Sequence, residues 1–420
     1  MKLWIGIAAL AVSFSFAPAA FAEPLEKEAA LTMALKNNPR VNAAIARIES
    51  AEGMRLQASL IPNPEVMLEI ENFGGEDERN GFDGAEATLG IEQEIELGGK
   101  RQKRTEVAEY QTNIVRERSV AEALSVLAET DYAFMRLAIA QERLALAEKR
   151  VALAAETHEA VKKRVSAAAA SDIQHTKADI EQSAAKLENT KAQKELAEAE
   201  SVLRALLAGS DYSDIQADLA ALPDLPDRSA LLEAVKNTPQ IRAATFAKMQ
   251  ADARFDLAKA NALPNPTFGL GVRRYNENDS NALVAGVSFP LPVFNRNQGE
   301  IKQAKANILE ADANARQQHI DLEQSALAAW ETLAAAHAEA GAYQGDMVPS
   351  AERAYRQASE GYGAGRFSFL DLLDAQRTLY EVQEARLDSL LALYEAKAQI
   401  DFLMGAHKPL IQDIIQGDTE

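Results

Sequence analysis

One segment of the sequence, residues 361–376, concentrates residue types that could act on a charged solute. Asp371 and Asp374 stand three residues apart, so they share one face if the chain there is helical. Three glycines at alternate positions come shortly before them, and each glycine costs about 1 kcal/mol inside a helix relative to alanine. The segment is therefore predicted to be a turn followed by a carboxylate pair, and paired carboxylates attract cations.

The same segment carries four further side chains that are unusual in a plain turn. Tyr362 and Arg366 offer a hydroxyl and a guanidinium group that can form hydrogen bonds. Phe367 and Phe369 are costly to leave in water, which favours contact with a partner protein or with a neighbouring helix. The alternative for the carboxylates is that they are solvated acids on a helix surface, as most carboxylates are.

Long helices are predicted to position this turn. Residues 100–208 contain neither glycine nor proline, and at about 1.5 Å per residue a single helix of that length exceeds any compact domain. Residues 166–171, with four successive alanines, mark the predicted reversal of this helix into an antiparallel pair. Residues 300–360 form the next predicted helix, with a break expected between positions 341 and 349. After the turn, one helix returns with apolar residues in heptad spacing: Leu373, Tyr380, Leu387 and Tyr394.

Four stretches between the helices alternate between apolar and polar residues, which predicts β-strands. These strands lie near residues 64–73, 86–97, 266–275 and 282–293. One face of each strand is aliphatic, and a run of about ten residues has the length of a transmembrane β-strand. A half-buried soluble hairpin is the alternative.

The second face of the first two strands is acidic. A charge that faces lipid costs about 2–4 kcal/mol near the middle of a membrane, so on the membrane interpretation this face lines the lumen of a barrel. The predicted lumen carboxylates are Glu69, Glu71, Glu92, Glu94 and Glu96. The alternative for those near the end of the strands next to the helices is that they meet water or neighbouring helices.

The chain repeats one plan twice. The Asn-Asn-Pro triplet that ends at Pro39 returns as Asn-Thr-Pro ending at Pro239, and Pro-Asn-Pro at residues 62–64 returns at 264–266. Residues 25–209 and residues 229–405 each contain a short helix, a helix, a β-hairpin, a long helix, a turn and a long helix. Four strands cannot close a barrel alone, whereas several chains that contribute four strands each can. The predicted fold class is therefore a mixed α/β membrane protein, a symmetric ring with a shared β-barrel continued by a helical barrel.

The N-terminal residues have the pattern of an export signal. Lys2 is followed by an apolar run and then by Ala20-Phe21-Ala22, the small-x-small pattern that signal peptidase cleaves. Residues 1–22 are thus predicted to be removed, leaving residues 23–420 as a single unit. The chain has no cysteine, so in an oxidising compartment it must be stable through size, packing or assembly. Its net charge of −19 argues against nucleic acid as a partner.

Neither an enzyme nor a metal site is predicted, and no cofactor is expected. The five histidines are scattered without a close pair, and cysteine is absent, so no tight transition-metal site is expected. His158-Glu159 begins like a zinc-protease motif, but Lys162 stands where the second histidine ligand belongs. The glycines of residues 361–365 do not follow a predicted strand, so they do not form a nucleotide-binding loop.

The duplicated plan resembles the TolC-like outer-membrane factor family along essentially the whole mature chain. The turn sequence from Tyr362 to Arg366 and the run from Leu370 to Gln376 carry the same resemblance. Residues 91–101 and residues 287–299 are similar to the heavy-metal, CzcC-like branch of that family.

The resemblance implies a homotrimer whose β-barrel lies in outer-membrane lipid and whose α-helical tunnel extends into the periplasm. It also implies docking onto a periplasmic membrane-fusion adaptor and a proton-driven inner-membrane pump of the RND type. The implied function is the passive exit duct of a tripartite efflux system for heavy-metal cations of the cobalt/zinc/cadmium or copper/silver class. One alternative is a duct for drugs or other small molecules. An alternative from another class is a periplasmic coiled-coil adaptor or structural protein.

The resemblance further implies that the helix turns converge to close the periplasmic entrance. The implied gate residues are Asp371, Asp374, Tyr362 and Arg366. The first repeat reverses at residues 165–171, with Ala168 where the second repeat has Gly365. The turn residues implied to contact the adaptor are Gly363, Gly365, Phe367, Ser368, Phe369, Ala168 and Ser171.

Overall fold

A computed structural model describes residues 24–77, 81–212 and 214–415, so the predicted export signal lies outside the described residues. Long helices dominate these residues, and one four-stranded sheet lies among them. The first half contains α1 (Lys27–Asn37), α2 (Pro39–Ser59), β1 (Glu65–Glu71), β2 (Glu86–Glu94), α3 (Lys100–Ser166) and α4 (Asp172–Leu206). The second half contains α5 (Arg228–Val235), α6 (Pro239–Asn261), β3 (Thr267–Tyr275), β4 (Ser280–Ser288), α7 (Gln298–Ala342), α8 (Val348–Gly363), α9 (Phe369–Met404) and α10 (Lys408–Ile415).

The repeated Asn-Pro and Thr-Pro dipeptides start equivalent helices in the two halves. Pro39 and Pro239 occupy the first turn of α2 and α6, where the missing N–H of proline costs no hydrogen bond. The Asn38 side chain accepts a hydrogen bond from the N–H of Arg40, and the Thr238 side chain accepts one from the N–H of Ile241. The conformation before proline is extended, so each dipeptide both ends one helix and begins the next.

The helical hairpins pack through small residues repeated every seven positions. On α4 the buried positions include Ala178, Ala185, Ala192 and Ala199. On the facing part of α3 they include Ala147, Ala154 and Val161. Small side chains let two helices approach closely along their whole length. The heptad predicted for α9 is confirmed, because its four members are all buried.

One ion-pair cluster joins the first hairpin to α9. The guanidinium of Arg143 on α3 contacts Glu195 of α4 at 2.8 Å and Asp388 of α9 at 2.5 Å, and Glu384 lies 3.3 Å away. These charge-assisted contacts fix the relative position of three helices that continue towards the turns.

Helix α7 runs into α8 through a π-helical segment, Tyr343–Met347, which confirms the predicted break. Pro349 stands in the first turn of α8 and has no N–H to donate, so regular α-helical bonding cannot continue across this point. The reversal predicted within residues 166–171 is also confirmed, since α3 ends at Ser166 and α4 begins at Asp172.

The sheet has the antiparallel order β1-β2-β3-β4, so the two hairpins are joined through β2 and β3. The register aligns Leu68, Leu89, Val272 and Leu283 across the four strands. This aliphatic face lies open in the single chain, with Leu283 81% exposed.

Three strands end earlier than predicted, and β1 does so by two residues, at Glu71. Strand β4 stops at Ser288 instead of reaching residue 293, because Pro290 and Pro292 lack the N–H that a ladder requires. Strand β2 stops at Glu94, and Gly98 and Gly99 then adopt positive φ angles that turn the chain into α3.

Among the helices that the structure describes, none combines the length and the hydrophobicity needed to span a membrane.

Candidate functional site

The turn between α8 and α9, residues 364–368, is called the second turn below. Helix α8 ends in three backbone hydrogen bonds, from Ala364 to Glu360, from Gly365 to Tyr362 and from Arg366 to Gly361, with N···O distances of 2.8–3.0 Å. Gly365 takes the left-handed conformation at a φ of 69°, which glycine adopts without steric cost.

Asp371 closes the first turn of α9 through a reciprocal capping box with Ser368. Its Oδ2 accepts hydrogen bonds from the Ser368 hydroxyl at 2.7 Å and from the Ser368 N–H at 2.8 Å. The Asp371 N–H donates to the Ser368 Oγ at 3.2 Å. The Ser368 hydroxyl, followed by its N–H, lowers the pKa of Asp371 below the usual 3.8, which keeps this carboxylate ionised while it holds the helix start.

Asp371 and Asp374 both face a cleft between α4 and α9, as their spacing predicted. The cleft has a volume of 440 Å³, and its other charged lining residues are Lys177, Glu181 and Arg377. Arg377 Nε donates to Glu181 Oε1 at 2.9 Å, which ties α9 to α4 directly below the two aspartates. Both aspartates are exposed, so this end of the chain presents two carboxylates to solvent.

The side chains of Tyr362 and Arg366 do not form a hydrogen bond with each other within the chain. The Tyr362 ring lies 6.0 Å from the Phe369 ring and 4.8 Å from the guanidinium carbon of Arg164. Its buried hydroxyl has no hydrogen-bond partner among the described residues, a state that costs about 1–3 kcal/mol. Arg366 is exposed, and its contribution to the turn is the bond from its backbone N–H.

The two phenylalanines of the turn have different surroundings. Phe369 is 3% exposed and packs with Val161, Ala178 and Leu373 in a small hydrophobic group, called the apical cluster below. Phe367 is 50% exposed and its ring covers Gly361, where an added Cβ would lie 2.1 Å from the ring. The structure thus puts Phe369 against neighbouring helices of its own chain and leaves Phe367 at the surface.

The first turn, residues 167–171, has the same backbone course with other side chains. Ala168 is left-handed at a φ of 56°, and the N–H groups of Ala167, Ala168 and Ala169 donate in the pattern seen in the second turn. Ser171 begins α4, but its side chain makes no capping hydrogen bond. Among the described residues, the first turn is therefore closed by backbone bonds without a side-chain cap on α4.

The predicted acidic lumen face contains a cation that the sequence analysis did not consider. Arg273 contacts Glu71 at 3.0 Å, Glu86 at 3.1 Å and the Thr88 hydroxyl at 2.8 Å. Arg273 follows Val272 of the aliphatic face, so the alternation along β3 could have predicted that it lies on the polar face with the acidic residues. Glu71 therefore pairs with a cation on the polar face of the sheet.

Three of the other predicted lumen acids lie on the sheet, and one does not. Glu69 and Glu92 stand on the polar face, opposite Thr88 and Gly269, and Glu94 accepts a hydrogen bond from Asn265. Glu96 makes the contact with a neighbouring helix that was the alternative to a position in the lumen. Glu96 lies beyond the end of β2, where its side chain is 11% exposed and pairs with Arg104 of α3 at 2.5 Å.

Two of the five histidines, although far apart in the sequence, come close together in the fold. His158 of α3 and His175 of α4 have ring centroids 5.1 Å apart, and both contact Asp179. The two histidines lie on either side of the predicted reversal at residues 166–171, so the antiparallel packing of α3 and α4 places them opposite each other. Scattered positions in the sequence did not reveal this pairing.

A second titratable cluster lies where α3, α9 and the segment after α9 meet. Asp131, Asp401 and His407 lie together, with Lys27 at 3.5 Å from Asp131 and Lys397 paired with Asp401. Burial lowers the pKa of His407, against the opposing effect of Asp131. Two lysines balance two aspartates here, which is the composition of a structural ion network.

The sequence matches one protein family and is similar to known proteins along most of its length. A model of the family described as outer membrane efflux protein matches residues 30–209 and 230–406. The cobalt-zinc-cadmium resistance protein CzcC of Cupriavidus metallidurans is 32% identical over 390 residues, 92% of each chain. The nickel and cobalt resistance protein CnrC of the same species is 30% identical over 315 residues, 74% of this chain and 73% of that protein.

A solved structure has the same fold. CusC, whose crystal structures concern folding and transmembrane channel formation, superposes with a TM-score of 0.76. The superposition covers 91% of this chain and 93% of CusC at 19% identity, so the likeness concerns the fold.

Proposed function

The chain belongs to the outer membrane efflux protein family, and from that premise we propose that it is the outer-membrane exit duct of a tripartite efflux system for heavy-metal cations. The observation that carries the metal assignment is the similarity, over nearly the whole chain, to a cobalt-zinc-cadmium resistance protein. The family consists of efflux proteins of the outer membrane, and its function is transport. Residues 1–22 are proposed to direct export and to be removed.

Three copies are proposed to close the barrel. Strands β1 and β4 each pair on one side only, so a single chain leaves two sheet edges with unpaired backbone groups. Three chains supply twelve strands, enough for a closed barrel, since about eight already close one. The aliphatic face that is open in the single chain then meets lipid, and the face with Glu69 and Glu92 lines the lumen.

The second turn is proposed to form the periplasmic gate. In a trimer Asp371 and Asp374 place six carboxylates around the entrance, a ring that attracts cations and repels anions. The buried hydroxyl of Tyr362 lacks a partner among the described residues, so a rearrangement of the second turn that brings it to an acceptor on a neighbouring chain would remove an energetic cost. Arg366 is free to supply a second bond of that kind.

The surfaces of both turns are proposed to contact the periplasmic adaptor, which in turn connects to an inner-membrane RND pump. Gly363, Gly365, Phe367 and Ser368 are exposed in the second half. Ala168 and Ser171 are exposed in the first. Phe369 supports this surface from beneath, because its ring is buried in the apical cluster.

The proposed cargo is tested in a strain that lacks the gene. We expect such a strain to lose tolerance to cobalt, zinc or cadmium while drug tolerance stays the same, and a plasmid copy to restore it. Unchanged metal tolerance would reject the metal assignment, and a selective loss of drug tolerance would favour a duct for organic compounds.

The gate is tested separately in planar bilayers with purified trimer. Asp371→Asn combined with Asp374→Asn should reduce block of the channel by multivalent cations, with Asp172→Asn in the first half as the matched control. Equal block in all three proteins would show that these carboxylates do not line the entrance.

A further inference from the structure

We propose that His158, His175 and Asp179 form a binding site for a divalent transition-metal ion that joins α3 to α4 near the first turn. The ion class is that of Zn²⁺, Co²⁺ and Ni²⁺, for which imidazole and carboxylate are the usual ligands. The site is complete within one chain, so it does not depend on what the duct exports or on the trimer.

The ligand atoms already lie close to the spacing that such an ion requires. One ligand atom from each residue is within 4.8 Å of the other two. Asp179 Oδ2 lies 3.3 Å from His175 Nδ1, and Asp179 Oδ1 lies 2.8 Å from His158 Nε2. Ligand atoms in a tetrahedral zinc site are about 3.3 Å apart, given bonds of about 2.0–2.1 Å. Small side-chain rotations are therefore enough to admit an ion between the three residues.

Two helices supply the ligands in a way that holds them in place. His175 and Asp179 are four residues apart on α4 and share one face. His158 projects from the antiparallel α3, where its side chain is only 14% exposed. The ligand from α3 is thus fixed by packing, and the pair on α4 reaches it from the opposite side.

The surroundings favour a cation. Glu159 Oε1 lies 3.7 Å from His158 Nδ1, the ring nitrogen that faces away from Asp179. A carboxylate on the far side of a ligating imidazole orients the ring and raises its basicity. The nearby cation Lys162 is turned towards Glu159 at 3.7 Å. The cluster therefore has two carboxylates and two imidazoles against one lysine.

One side of the cluster is open. The Asp179 side chain is 51% exposed, so an ion can enter from solvent and complete its coordination with water. Three protein ligands with an open fourth position make a site that exchanges its ion, unlike a closed structural zinc site. An ion bound there would hold α3 and α4 together beside the first turn, where the side chains themselves provide no cap.

The test uses the full-length protein purified in detergent with a tag free of histidine. Co²⁺ is titrated while its visible absorption bands are recorded, and Zn²⁺ is then added as competitor. We expect one Co²⁺ per chain, displaced by Zn²⁺, and at least a tenfold loss of affinity in His175→Ala and in Asp179→Asn. His337→Ala on α7 is the matched control and should bind as the unmodified protein does.

Limited proteolysis supplies a second readout. Zn²⁺ should slow cleavage at the first turn in the unmodified protein and in His337→Ala, but not in Asp179→Asn, which keeps the shape of the side chain. Equal Co²⁺ affinity in the unmodified protein and both ligand variants would overturn the proposal, as would absence of Zn²⁺ protection. Because binding is measured on isolated protein, either result leaves the proposed export function to its own test.

Discussion

The first and second turns share one backbone and differ in almost every side chain. In both, the N–H groups of three consecutive residues bond to the end of the preceding helix, and the middle residue is left-handed. By these bonds Ala168 corresponds to Gly365 and Ser171 to Ser368. The second turn adds a capping box, an aromatic ring in the apical cluster and an arginine. The first turn shows that helix reversal needs none of these, so the additions point to a task beyond reversal.

The largest expected difference concerns the apical cluster. Phe369→Ala removes a fully buried ring and should destabilise the second turn by about 3–5 kcal/mol. The corresponding position in the first turn is Asp172, which is exposed, so Asp172→Ala should have a much smaller effect. Hydrogen exchange of backbone amides near each turn measures both changes. If Phe369→Ala opened the second turn no more than Asp172→Ala opens the first, the cluster would not support the turn.

Smaller effects are expected at the left-handed positions, and their signs should be opposite in the two turns. Gly365→Ala should destabilise the second turn by about 1 kcal/mol, since an L-residue pays about 1–2 kcal/mol there and saves some entropy. No atom lies within 4 Å of an added Cβ at Gly365, so backbone strain alone is measured. Ala168→Gly should stabilise the first turn by less than about 1 kcal/mol. Amide exchange resolves the two signs, and a shared sign would mean that the turns are not equivalent.

The helix caps give a third comparison. Ser368→Ala removes the hydroxyl that bonds to the Asp371 N–H and should cost about 0.5–2 kcal/mol. Ser171→Ala should be close to neutral, because the Ser171 hydroxyl makes no capping bond. Exchange rates of the first amides of α9 and α4 report the two effects. Equal costs would show that Ser171 caps α4 in solution.

The smallest expected effect is a dependence on pH confined to the second turn. Because the pKa of Asp371 is lowered by Ser368, the ionised carboxylate stabilises the folded turn. That contribution is fully present above the usual pKa of 3.8 and is lost as the pH falls through the lower folded value. The first turn has Gln174 at the matching position. Amide exchange between pH 3 and pH 5 should show the trend in the unmodified protein and not in Asp371→Asn.

Periodic features of the fold were predictable from the sequence alone. Alternating apolar and polar residues predicted the four strands, and the heptad spacing predicted the buried face of α9. Pro349 and its neighbouring glycines predicted the break between α7 and α8. The resemblance to outer-membrane efflux proteins was carried by the repeat and by the second turn, and the family match confirms it. These signals are local, because each depends on residues close together in the chain.

The parts that were missed depend on how separate elements align. Arg273 of β3 contacts both Glu71 of β1 and Glu86 of β2 because of the register between the strands, which the sequence does not specify. His158 meets His175 because α3 and α4 are aligned in a particular register. Glu96 pairs with Arg104 because the next helix passes beside the end of β2. A period of two or of seven residues contains no information on these alignments.

The ladder between β2 and β3 has a consequence for the order in which the chain acquires its structure. It pairs Glu94 with Thr267 and Glu86 with Tyr275, partners that enter the periplasm at very different times if the chain is threaded from its N-terminus. The hairpin of β1 and β2 is local and closes quickly, whereas contacts between distant residues form slowly. Until the second half arrives, β2 waits with an unpaired edge beside an aliphatic surface, a state that is prone to aggregation. On that order of entry, the chain is most exposed to aggregation in the interval between the arrival of β2 and the arrival of β3, and the length of chain between them sets that interval.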